Sequence, residues 1–310
     1  MSEHNFSSLP YMADEATDVK RHVMSIPPSE IEWLHLLLDN SPIVDENWEN
    51  LHEDGHFGIN REWFVGAVKE WRQNYDWYGA APFHVNSFPN APTRKKWEKK
   101  FNALPHYTAN VQDTERDVYT IHFNALFSKR KNAHPILFLH GWPGSRVEFL
   151  PMLELIQRKY SPDSLPYHII VPDLAGFGFS SRPPLHKGFN ILDNARILVK
   201  FIHALGFTSE HGGYTVQGGD IGGFLGPRIA ALDPESCRLV HVNMLTIQPP
   251  EGKNVEDDIK AGIYSQVEIE SLDREKKVRS WGLSYAAIKG TRPATLGLAI
   301  GSSAVALLSW

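Results

Sequence analysis

Gly218-Gly219-Asp220-Ile221-Gly222-Gly223 places small residues on both sides of an aspartate. The spacing is that of a strand-to-helix elbow, with a carboxylate where hydrolytic elbows usually carry serine. A carboxylate nucleophile implies attack on an electrophilic carbon, through an alkyl-ester intermediate that water must later cleave with the help of a base. The small neighbours matter because such a turn is too tight for side chains beside the nucleophile. The bland alternative for Asp220, a helix N-cap in a surface turn, needs no glycine on either side.

Two further loops read as parts of the same site. His140-Gly141-Trp142-Pro143-Gly144-Ser145 follows an apolar run ending at Leu139, and its glycines and proline suit an irregular turn that brings a backbone amide close to a ligand. His140, Gly141 and Pro143 are its loop-shaping residues. Pro172-Asp173-Leu174-Ala175-Gly176-Phe177-Gly178-Phe179-Ser180-Ser181 follows a second such run. The elements that must hold these loops are short β-rich runs at 118–123, 135–139, 167–171, 214–216 and 239–242, with helix-like segments between several of them. That alternation predicts a mostly parallel α/β sheet with functional loops at the carboxyl ends of the strands. Upstream, residues 28 to 107 are rich in Trp and charge. Ile31, Leu34 and Leu38, and again Phe64, Val68 and Trp71, fall at helical spacing, which predicts a helical module.

Composition bounds the partners. The 310 residues, 42% apolar and 22% charged with a formal charge of −5, describe a soluble globular chain and give no reason to propose nucleic acid. The basic run of Arg94, Lys95, Lys96, Lys99 and Lys100 reads as a solvated helix face. Cys237 is the only cysteine, so no intramolecular disulfide forms. The N-terminus has neither the basic start nor the apolar run of a signal peptide, so a cytoplasmic location is expected. Residues 295–310 are apolar but short and broken by glycine and serine, and read as a helix lacking its packing partner rather than as a membrane anchor.

The three loops, in this order and each after a predicted strand, resemble the α/β-hydrolase fold. With the helical part ahead of them they resemble the soluble fungal relatives of microsomal epoxide hydrolase, from about residue 24 to the end. The resemblance implies a helical N-terminal domain over 1–115, the first part of the hydrolase core over 116–250, and an incomplete lid over 251–310. It makes Asp220 the nucleophile and the amides of Trp142 and Ile221 the oxyanion hole, with Trp142-Pro143 cis. Tyr285, in Gly282-Leu283-Ser284-Tyr285-Ala286, becomes the proton donor to the opening epoxide oxygen. Tyr264 is a further lid tyrosine whose surroundings do not match. The implied substrate is a small hydrophobic epoxide opened to a vicinal diol, with no cofactor and no metal. The reading leaves oligomeric state open and is compatible with a homodimer.

The departures are equally informative. The family's second tyrosine, its catalytic acid and its histidine match nothing up to Trp310, and His241, the one histidine after Asp220, sits inside a predicted strand. The resemblance therefore implies impaired ester hydrolysis and a truncated gene product or fragment. Residues 78–95 read as an insertion, with Asn86-Ser87-Phe88-Pro89 a partial echo of Asn102-Ala103-Leu104-Pro105. Two alternatives stand beside this reading. A haloalkane dehalogenase would share the aspartate but carry tryptophan at the position of Ile221, and a catalytically dead relative would only bind ligands. His52-Glu53-Asp54-Gly55-His56 fits the H-E-x-x-H zinc pattern, but Asp and Gly weaken a helix interior there and a turn-like sequence follows, so no metal is expected.

Overall fold

A computed structural model describes residues 6, 8–10, 18–52, 56–74, 95–114, 116–245 and 250–310. The chain divides into two compact units, Met1–Ser25 with Trp97–Thr246, and Ile26–Lys96 with Ile247–Trp310. In chain order the elements are β1 (Lys20–Arg21), α1 (Pro28–Asn40), α2 (Arg61–Asn74), α3 (Lys95–Ala103), β2 (His106–Gln112), β3 (Val118–Leu126) and β4 (His134–Leu139). They continue with α4 (Leu150–Lys159), β5 (Tyr167–Pro172), α5 (Ile191–Ala204), β6 (Tyr214–Gly218), α6 (Ile221–Leu232) and β7 (Cys237–Val242). The last five are α7 (Val255–Lys260), α8 (Gln266–Lys277), α9 (Ser284–Thr291), α10 (Pro293–Ile300) and α11 (Ala304–Leu308).

The first unit is built on a seven-stranded sheet in the order β1-β2-β3-β5-β4-β6-β7. The half formed by β5, β4, β6 and β7 is parallel, as the alternating pattern predicts. The other half corrects the expectation of a mostly parallel sheet, because β1, β2, β3 and β5 pair antiparallel. Between β2 and β3 the physical reason is the short connection from Gln112 to Val118, which permits a hairpin and no crossover. The sheet therefore runs across the 115/116 boundary suggested by the sequence, and β2 falls inside the segment read there as helical.

Both faces are covered, as a largely apolar parallel core requires. On one face Ala195, Ile197, Leu198, Phe201 and Ile202 of α5 and Leu225 and Ile229 of α6 bury against Phe123, Leu137, Ile170 and Val216. On the other, Leu150 and Leu153 of α4 pack with Phe6, Leu104, Leu126, Ile169 and Val171. Helix α5 starts at a capping box in which Asn190 and Asp193 satisfy each other's backbone amides.

The β2–β3 turn is tied to α5 by a charged cluster. Arg196 grips the Asp113 carboxylate with two hydrogen bonds of 2.8 and 2.9 Å, and Lys200 adds a third at 3.2 Å. The Arg196 bonds, opposed by burial and reinforced by Lys200, hold the Asp113 pKa down at about 2. A carboxylate depressed on folding stabilises the fold above its unfolded pKa near 4, and that contribution is lost as pH falls toward 2. Asp113→Asn is thus expected to cost about 1 kcal/mol at neutral pH, with the gap from the parent closing as the pH is lowered through this range. Paired thermal melts across pH check it; a gap constant down to pH 2 would contradict the assignment.

The second unit is helical. Leu38 of α1, Phe64 and Val68 of α2 and Val305 of α11 form its small core, with Leu34, Ile43, Trp71 and Leu308 around them. The apolar tail predicted to lack a packing partner thus has one: it folds as α10 and α11, and Val305 is buried against α1 and α2 side chains. No helix among the described residues is long and apolar enough to cross a membrane. The proposed insertion at 78–95, apart from Lys95 at the start of α3, lies outside the described residues, as do Glu53, Asp54 and Gly55 of the H-E-x-x-H match.

Candidate active site

Strand β6 ends at Gly218, α6 begins at Ile221, and Asp220 sits on the turn between them with φ 51° and ψ −119°. It is the only non-glycine residue with positive φ among those described. Such a conformation costs on the order of 1–3 kcal/mol, and it persists where surrounding packing dictates it. Here the packing is the start of α6 pressed against the end of β4: a Cβ on Gly222 would lie 2.4 Å from the Leu139 carbonyl oxygen. The elbow therefore holds the Asp220 side chain up from the carboxyl end of the sheet's parallel half.

The loop after β4 meets it there. The Trp142 amide donates to Asp220 Oδ1 at 2.8 Å, and the Trp142–Pro143 bond is cis. Gly141 passes so near that a Cβ on it would stand 2.5 Å from Asp220 Cβ and 2.7 Å from Oδ1. Gly141→Ala is expected to push the carboxylate off the Trp142 amide, costing about 1–3 kcal/mol of stability and slowing any reaction at Asp220. Chemical denaturation together with the adduct assay described below would check both parts. As the first residue of α6, Ile221 has an N–H with no carbonyl one turn back to bond, and it stands beside the aspartate. The Trp142 amide thus meets the carboxylate at the positive end of the helix that Ile221 begins.

His140 is buried and shapes this loop. Its Nδ1 lies 2.9 Å from the Gly141 carbonyl, and its Nε2 accepts the Leu174 amide at 3.0 Å. That pairing makes Nδ1–H the donor, and burial holds the imidazole pKa down, so the ring is neutral and joins the loops after β4 and β5. Beside them Trp142, Pro143, Gly144, Ser145, Glu148 and Phe177 line an open cleft.

Behind the loop lies a polar network that no sequence motif marks. The buried Arg146 donates through Nη1 to Asn124 Oδ1 at 2.8 Å, and its backbone amide donates to Asp173 Oδ1 at 3.0 Å. Its Nε lies 2.9 Å from His122 Nδ1 and 3.3 Å from Asp173 Oδ2. Burial alone would raise the Asp173 pKa, but His122 and Arg146 outweigh it and keep the carboxyl ionised. The one available signal was Asp173 itself, an acid directly after an apolar strand.

His241 is exposed on β7. Tyr285 lies on α9 in the second unit, 39% exposed, with the Lys289 ammonium 4.9 Å from its ring centre and Trp281, Ile288 and Trp310 lining the same hollow.

Comparison with known proteins gives one consistent answer. Residues 19–95 and 93–149 match the family described as epoxide hydrolase N terminus, and 134–263 match the alpha/beta hydrolase fold. The chain is 38% identical to the solved Aspergillus niger epoxide hydrolase, with a TM-score of 0.83 over 98% of this chain and 71% of that one. It is 36% identical over 289 residues to an epoxide hydrolase homologue of Dothistroma septosporum, covering 93% of this chain but 62% of the relative's length. Rabbit (Oryctolagus cuniculus) epoxide hydrolase 1 is 27% identical over 272 residues, 82% of this chain and 53% of that protein.

Proposed function

The chain belongs to the epoxide hydrolase family, and on that premise we propose that Asp220 opens small hydrophobic epoxides as a carboxylate nucleophile. The observation that carries the reading is the Trp142 amide on Asp220 Oδ1 at 2.8 Å. It gives the two oxygens different tasks. Oδ2 attacks an epoxide carbon, the carbon–oxygen bond breaks, and its electron pair goes to the ring oxygen, which takes the Tyr285 phenol proton. Oδ1 becomes the carbonyl oxygen of the hydroxyalkyl ester. When water adds to that carbonyl, the charge gathering on Oδ1 is met by the amides of Trp142 and Ile221. Collapse then releases the diol and leaves the water's oxygen on Asp220. The lid role of Tyr285 and of residues 251–310 belongs to the same proposal.

The second step needs a base. Of the histidines in the first unit, His140 feels the charge of Asp220, but its two ring nitrogens are engaged by Gly141 and Leu174. Ring opening in this 310-residue chain is therefore proposed to outrun ester hydrolysis. Incubation with styrene oxide followed by intact-mass measurement tests both halves. A persistent one-to-one adduct mapped to Asp220, with little diol, is the expected result. Absence of both adduct and diol would sink the nucleophile, and sustained diol release would sink the stalled second step.

A further inference from the structure

Three histidines gather on the antiparallel half of the sheet, away from the elbow. The registers put them there. Arg21 opposes Tyr107, so His22 comes opposite His106, and its amide bonds the His106 carbonyl at 2.8 Å. His106 opposes Asn124 and Thr108 opposes His122, so His122 lies diagonally across from His106 on the same pleated face. Nitrogens of His22, His106 and His122 all lie within 4.8 Å of one another. His106 and His122 are buried and His22 is half-buried.

The hydrogen bonds around the rings decide where their protons sit. The Met24 backbone clamps the Asn102 amide from both sides, its N–H donating to Oδ1 at 2.8 Å and its carbonyl accepting from Nδ2 at 2.8 Å. Asn102 therefore turns Oδ1 toward His106 Nε2, 3.0 Å away, and the His106 proton must be on Nε2. On the second ring, His122 Nδ1 lies 2.9 Å from Asp173 Oδ2, a carboxylate that also takes Arg146 Nε at 3.3 Å. His122 Nδ1 also lies 2.9 Å from Arg146 Nε, which can only donate, so the His122 proton sits on Nε2 and donates to His106 Nδ1 across 3.0 Å. A divalent cation between the two rings would replace that one proton, with Asp173 Oδ2, 2.9 Å from His122 Nδ1, placed to hold the ring in the tautomer a metal-bound histidine needs.

We propose that His22, His106 and His122 bind a divalent transition cation, zinc in particular, through three imidazole nitrogens with a fourth position open to solvent. Tetrahedral zinc with bonds of about 2.0–2.1 Å needs donors roughly 3.3 Å apart, a few tenths of an ångström beyond the present gap. The outer nitrogens already carry the carboxylate and amide-oxygen partners that orient metal-bound histidines. A donor set of imidazoles alone suits zinc, nickel or copper and not magnesium or calcium. Of the charges that act on the rings, Arg146 is paired with Asp173 and Arg21 is exposed. The half-buried His22 supplies the entry path, and a bound ion would staple the β1 segment to β2 and β3.

Calorimetric titration of the chelator-treated chain with zinc sulfate tests the site, with the unfolding midpoint as a second readout. One zinc per chain and a raised midpoint are expected. Loss of an orienting partner costs metal sites about 10–100-fold, so His22→Ala, which removes a ligand, is expected to weaken binding about 100-fold or more. His22→Cys, whose thiolate is a good zinc ligand, is expected to restore it. Absence of stoichiometric zinc, equal binding by His22→Ala, or no rescue by His22→Cys would each overturn the proposal in favour of a hydrogen-bonded histidine cluster.

Discussion

Asp220→Asn is expected to carry no adduct after exposure to styrene oxide and to form diol at least about 10⁴-fold more slowly than any rate the parent supports, as loss of a nucleophile does elsewhere. The substitution is nearly isosteric. The new amide oxygen can still accept the Trp142 N–H, and asparagine tolerates positive φ better than most residues. Its stability is therefore expected to stay within about 0.5 kcal/mol of the parent. That separates lost chemistry from lost structure. The strain at the elbow has its own test. Asp220→Gly is expected to be more stable than Asp220→Ala by about 1 kcal/mol or more, because only glycine escapes the penalty of φ 51°. Equal denaturation midpoints for the two variants would mean that the elbow stores no strain, whatever Asp220 does chemically.

How far the sequence disclosed this molecule differs from element to element. The β-rich runs ending at Leu139, Val171 and Val216 emerge as β4, β5 and β6, because buried central strands are written as short unbroken apolar runs. The glycine-bracketed Asp220 and the His140–Ser145 loop were legible because a close backbone approach forbids side chains, and that leaves a mark at fixed positions. Strand β2 was not legible. Its sequence, His106-Tyr-Thr-Ala-Asn-Val-Gln112, follows the lysine-rich α3, and it was absorbed into the helical region. Strand β1 is two residues long, too short for any pattern. The Arg146–Asp173–His122–Asn124 network was invisible for a different reason. Its members come from β3 and from the loops after β4 and β5, and only the sheet order β3-β5-β4 makes them neighbours.

That network carries the largest expected stability effect. Arg146 is 1% exposed, with its guanidinium carbon 6.0 Å from the Phe101 ring centre and 5.9 Å from that of Phe179. Arg146→Met fills much of the space but leaves the buried Asp173 carboxylate without its cation and Asn124 Oδ1 without its donor. Breaking a buried ion pair from one side costs about 3–5 kcal/mol, a large share of the 5–15 kcal/mol typical of a domain. Asp173→Asn is expected to cost a similar amount, since it strands the guanidinium. The double variant Arg146→Met/Asp173→Asn strands neither charge, so its cost should fall well below the sum of the singles, with a coupling of about 1–3 kcal/mol by urea denaturation. Additive costs would show that the two residues act independently. The consequence reaches the site, because the Arg146 amide on Asp173 anchors the end of the loop whose Trp142 amide meets Asp220. At temperatures where Arg146→Met remains folded, adduct formation at Asp220 should already be slower than in the parent. A parent-like rate there would separate the buried network from the positioning of the loop.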